Sequence, residues 1–61
     1  MSTIFFVTYD NNSTVGPIDC LQLADKLAEV ELKYEDTQCT KAFVYEINNG
    51  VVTLMKTIEK E

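Results

Sequence analysis

The apolar residues of this 61-residue chain follow three different rhythms. Residues 3–9, Thr-Ile-Phe-Phe-Val-Thr-Tyr, are dominated by β-branched and aromatic side chains and stop at Asp10-Asn11-Asn12-Ser13, a cluster of turn formers. A strand followed by a loop is expected. From Gly16-Pro17 onward the period becomes helical. Proline suits the first helical position, where the missing N–H is not needed, and Asp19 two residues later faces the positive end of the helix dipole. At about 100° per residue, Cys20, Leu21, Leu23, Ala24, Leu27, Ala28 and Val30 share one broad side, with Asp19, Gln22, Asp25, Lys26, Glu29 and Lys33 opposite. Glu31 would point into the apolar side, so the helix is expected to end between Glu31 and Lys33.

The third rhythm is alternation. Residues 41–48 and 51–59 flank Asn49-Gly50, the pair that fits a two-residue hairpin turn. Such a turn sets Ile47 against Val52, Tyr45 against Leu54 and Phe43 against Lys56 on one face. On the other it sets Glu46 against Thr53, Val44 against Met55 and Ala42 against Thr57. The first set is the more apolar and is the expected core face.

The predicted order is β-α-β-β in one α+β domain covering residues 1–61. A right-handed crossover would lay the first strand parallel to the second and leave a gap for the third. The expected sheet is therefore three-stranded and antiparallel, in order 1-3-2, with the helix on one face. The first strand is apolar in both registers, with Ile4 and Phe6 pointing one way and Phe5, Val7 and Tyr9 the other. One helix covers only one face. Phe5, Val7 and Tyr9, with Val44 and Met55 from the hairpin, are expected on the face away from it, as an apolar patch suited to a second copy or a partner. The competing reading is a compact apolar strand partly covered by the loop of residues 10–16.

Size strengthens the first reading. A chain this short buries only about 60% of the surface its unfolded form exposes, so its core is marginal and a partner subunit would supply what is missing. The 46% apolar content is nevertheless that of an ordinary globular domain.

Charge and residue usage then remove whole classes of function. Ten acids against five lysines give a net charge of −5. Lys26, Lys33, Lys41, Lys56 and Lys60 are scattered, so there is no basic footprint for a nucleic-acid backbone. The chain has no histidine, which removes the usual acid–base group near neutral pH and the commonest metal ligand. Two cysteines cannot by themselves close a four-ligand zinc site, and no cofactor motif is present. Cys20 and Cys39 lie 19 positions apart without CxxC spacing; Cys20 is expected in the core and Cys39 near the surface, both reduced. The amino terminus lacks the pattern of a secretion signal and no stretch is long enough to span a membrane, so a cytoplasmic protein is expected.

Glu29, Glu31, Glu35 and Asp36 concentrate negative charge at the helix end, where acids oppose the dipole. They would serve either as a patch read by a basic partner surface or as a solvated face that keeps the protein soluble. The loop at residues 11–16 precedes a helix N-terminus but lacks the glycine spacing of nucleotide loops, and reads as a polar connector.

Two functions remain. The first is a non-enzymatic protein-binding module, a homodimer that occludes a larger target. In its size, acidity and α+β pattern the chain resembles the accessory and inhibitor proteins that phages and mobile elements encode against host defence, anti-CRISPR proteins among them. That resemblance implies a protein target in the host cytoplasm and no residue roles. The alternative is a nucleotide or metabolite binder with a pocket between protomers, lined by Tyr9, Tyr34 or Tyr45 and the loop amides at residues 11–16. A carboxylate-pair enzyme is disfavoured, because so small an interior offers little desolvation with which to raise a carboxyl pKa.

Overall fold

The structure, a computed structural model, describes residues 3–34 and 36–60. Five elements follow in order: β1 (Ile4–Tyr9), β2 (Thr14–Ile18), α1 (Leu21–Lys33), β3 (Lys41–Asn48) and β4 (Val51–Glu59). The class is α+β. The four strands form one antiparallel sheet in the order β2-β1-β3-β4, with α1 on one face.

β2 is the element that the sequence conceals. The turn after β1 closes tightly: Tyr9 N donates to Ser13 O at 2.9 Å, Asn12 N donates to Tyr9 O at 3.0 Å, and Asn12 takes a φ of 70°. The chain then doubles back along β1 and carries Gly16 and Pro17 within the strand. Proline is tolerated there because β2 is an edge strand and its missing N–H leaves no ladder bond unmade. The helix consequently begins at Leu21 rather than at Pro17, and Cys20 occupies the N-cap position without a side-chain capping bond.

The extra strand also reverses the direction in which the chain enters the helix. With β2 returning to the start of β1, the helix delivers β3 antiparallel to β1 and directly beside it. The expected order 1-3-2, with the last strand between the other two, is thereby corrected: β4 lies at the outer edge. The hairpin turn is as expected, with Asn49 and Gly50 at φ 53° and 78°. Its pairing holds as far as Tyr45↔Leu54, where a bulge inserts Met55 and shifts the remainder to Val44↔Lys56, Phe43↔Thr57 and Ala42↔Ile58.

The core consists of Phe5, Val7, Tyr9, Ile18, Ala24, Ala28, Leu32, Cys39, Ala42 and Val44, with Leu27 and Ile58 packed against it. Thus the helix covers the face that the sequence reading turned outward. Phe5, Val7, Tyr9 and Val44, placed above on an open surface, are buried beneath α1, with Val7 and Val44 wholly inaccessible. The reason is steric. α1 presents Ala24 and Ala28 to the sheet, and a helix approaching through alanines closes best on small side chains such as Val7, Ala42 and Val44. Phe5 and Tyr9 are the aromatic residues of this face and complete the core with Ile18 and Leu32, whereas the opposite face groups Phe6, Phe43 and Tyr45. Because side chains alternate along a strand, this one choice decides the orientation of every residue in the sheet.

The cysteines exchange places relative to expectation. Cys20 is exposed and Cys39 is buried, and both are free. On α1 itself, Leu23 and Val30 remain exposed, while Leu32, outside the predicted apolar arc, is buried.

Gly16 sits where a side chain cannot. Its φ is +145°, and a Cβ there would lie 2.7 Å from Cδ1 of Phe6, whose ring covers the glycine. Gly16→Ala is expected to destabilise the fold by about 1–3 kcal/mol through backbone strain and displacement of that ring. Urea denaturation of the two proteins measures the difference, and equal midpoints would show that the ring does not close over Gly16. Val7→Lys places a charge in the sealed core, and loss of the native circular-dichroism spectrum is expected; a folded variant would mean that Val7 faces solvent.

Candidate functional site

The sheet face opposite α1 follows directly from the register. Ile4 pairs with Ile47, Phe6 with Tyr45 and Thr8 with Phe43 across β1 and β3, while Ile47 continues to Val52, Tyr45 to Leu54 and Phe43 to Thr57 on β4. All of these side chains share one face, and no element covers it among the described residues. Val52 and Leu54 are 61% and 50% exposed, whereas the aromatic residues nearer the middle are partly buried by one another. Apart from the Lys41–Glu59 pair at one end, 4.0 Å apart, the face carries no charged side chain among the described residues. In a chain with 25% charged residues, that exclusion makes the face chemically distinct from the rest of the surface.

Sequence reasoning reached the idea of an open apolar face but assigned it to the wrong residues. Of the set Phe5, Val7, Tyr9, Val44 and Met55, four are core and Met55 is the exposed extra residue of the β4 bulge. The alternating set Phe43, Tyr45, Ile47, Val52 and Leu54, read as the core face because it is the more apolar, forms the open surface instead. The missed signal was the alanine content of the helix stripe.

Charged groups gather on the helix layer and around the sheet ends. Lys56, brought to the helix side by the bulge, lies 3.5 Å from Asp25 Oδ2, and the other carboxylate oxygen of Asp25 is buried without a hydrogen-bond partner. Of the acids expected to form a patch, Glu29 and Asp36 are exposed, and Glu35 lies outside the described residues. Glu31 is half-buried and has a local role: it accepts a hydrogen bond from Thr37 Oγ1 at 2.9 Å, and that oxygen accepts one from Cys39 N at 3.2 Å. This relay ties the helix end to the segment entering β3, which explains an acid placed against the dipole.

Tyr9 passes beneath the helix and donates from its hydroxyl to Leu27 O at 3.4 Å. Burial raises its pKa above the ordinary tyrosine value, reinforced by the nearby Glu31 and Cys39. Tyr9, Tyr45 and Tyr34 therefore occupy three separate places, the core, the open sheet face and the C-cap of α1, and a single chain does not bring them into one pocket. A shallow groove of about 380 Å³ does exist between the end of α1 and the end of β4, lined by Glu29, Leu32, Lys33, Ile58, Glu59 and Lys60. Its mixed charges define no particular ligand.

Among the described residues no group of cysteine and acidic side chains could hold a metal ion, and no helix is long and apolar enough to cross a membrane. Comparison with protein-family models, with curated proteins and with solved structures gives no match.

Asp10 clamps the two ends of the sheet connections. Its carboxylate accepts hydrogen bonds from Thr40 N at 2.9 Å and from Thr40 Oγ1, and its backbone N donates to Lys41 O at 3.3 Å. The Thr40 side-chain bond, followed by the Thr40 backbone bond, holds its pKa below the ordinary aspartate value. A depressed carboxylate contributes its stability above the unfolded-state pKa and loses it as pH falls through the folded-state value. Asp10→Asn should accordingly be less stable than the wild type at pH 7, with the difference shrinking as the pH drops below about 4. Thermal melts from pH 7 to pH 2 measure it, and a difference that stays constant across that range would show that the clamp is not ionic.

Proposed function

We propose that the chain is a non-enzymatic protein-binding module, a small homodimeric inhibitor or accessory protein of the phage or mobile-element type that acts in the host cytoplasm by occluding a larger target. The observation that supports this reading is the sheet face left open by α1: broad, apolar and free of charge except at one end. Surfaces of that character on small domains serve contact with other proteins. The polar groups with defined surroundings, Asp10, Glu31 and Tyr9, are occupied in holding the connections and the helix in place. Charge for recognising a basic target surface comes from the exposed acids Glu29 and Asp36 near the helix end.

Immobilised protein exposed to host lysate is expected to capture a protein that, once purified, forms a complex of fixed stoichiometry in gel filtration. A panel of nucleotides and metabolites is expected to leave the melting temperature unchanged, since only a ligand bound to the folded form raises it. A rise of several degrees with one metabolite, without a reconstituted protein complex, would replace this reading with the ligand-binding one.

A further inference from the structure

We infer that the occupant of the open sheet face is a second copy of the chain, packed face to face so that two four-stranded sheets form a sandwich with the helices outermost. The inference rests on the protein-binding reading and names the partner on this face. Three observations select a second copy over another protein.

The first is charge. Each chain carries −5, yet on the open face the charged residues are confined to the Lys41–Glu59 pair at its end. Sheets pack about 10 Å apart, and a helix layer adds about 10 Å on each side, so face-to-face packing holds the two acidic helix layers roughly 30 Å apart. That is several Debye lengths at physiological ionic strength, about 8 Å each, so the two negative charges scarcely repel. Contact through the helix layer would bring like charges together. A basic partner, in turn, finds no counter-charge on the middle of the sheet face and has its natural contact on the helix side.

The second is the shortage of interior. The core of the single chain holds two aromatic residues, Phe5 and Tyr9, and the helix contact at its centre is built on alanines. Three further aromatic residues, Phe6, Phe43 and Tyr45, are only partly buried and carry large apolar area on the open face. A second copy would bury them without adding any residue to the chain.

The third is size and shape. Four strands about 4.8 Å apart and about 20 Å long present a flat footprint on the order of 400 Å². Matched with its own copy, a footprint of that size gives about 800 Å² in total, below the roughly 1,000 Å² of stable specific interfaces and in the range of weak, transient ones. An association reversible at micromolar concentrations is therefore expected, rather than an inseparable dimer.

Analytical ultracentrifugation of the full chain tests the inference. At about 200 µM, well above a micromolar dissociation constant, the wild type is expected to sediment at about twice its 6.9 kDa mass and to dissociate on dilution. Its dissociation constant should change less than about threefold between roughly 50 and 500 mM salt, because no ion pair crosses the middle of the interface. Leu54→Lys, at a site half exposed in the single chain, should keep the native circular-dichroism spectrum and weaken association at least about 100-fold. Val52→Lys should do the same, while Val30→Lys, exposed on the helix, should leave the dimer intact. A wild type that stays monomeric at that concentration, or a dimer disrupted by Val30→Lys and not by Leu54→Lys, overturns the inference. A monomeric wild type that still forms a complex with a captured target would leave the protein-binding reading standing and remove only the second copy.

Discussion

The approach of α1 to the sheet through Ala24 and Ala28 is the contact on which the rest of the molecule depends. Ala24 and Ala28 meet the small side chains Val7, Ala42 and Val44, and Phe5 and Tyr9 complete the same core. With the alternation of side chains along each strand, that single match consigns Phe6, Phe43, Tyr45, Ile47 and Leu54 to the other face. A close, modest core and a broad open surface are thus two consequences of one steric fit.

Polar interactions fix the ends of the elements that this fit brings together. Asp10 joins the β1–β2 turn to the start of β3 through Thr40, and Glu31 joins the helix end to the same segment through Thr37. The bulge at Met55 carries Lys56 to the helix side, where it meets Asp25. A 13-residue helix is marginal on its own, so these tethers and the packing beneath it supply most of its persistence. Charges consequently collect on the helix layer and at the sheet ends, and the opposite face is left almost without them.

The parts of the fold legible in the sequence were those governed by local signals. Asn49-Gly50 announced the hairpin, the period from Cys20 to Val30 announced the helix, though with its start set too early at Pro17, and the mixture of both announced the α+β class. β2 escaped because Gly16-Pro17 is also a credible helix start, and nothing local distinguishes a proline at a first helical turn from one in an edge strand. Missing that strand reversed the direction of entry into the helix and so altered the sheet order. The open face was legible as a need, since β1 is apolar in both registers, but not as a set of residues. Apolar character favoured Tyr45 and Phe43 as core, whereas the fit to Ala24 and Ala28 depends on tertiary contact. Met55 and Lys56 were misplaced by a bulge that a strict two-residue register does not anticipate.

Function follows from what the single chain leaves undone. In a chain of 61 residues with alanines at the centre of its core, Phe6, Phe43 and Tyr45 remain only partly buried. In the proposed dimer, a second copy would cover them and leave the helix of each chain outward. The most direct measurement is the melting temperature as a function of protein concentration, because unfolding of a dimer is linked to its dissociation. A hundredfold increase across the micromolar range is expected to raise the melting temperature by about 5 °C or more. A melting temperature independent of concentration over that range would contradict a second copy on the sheet face.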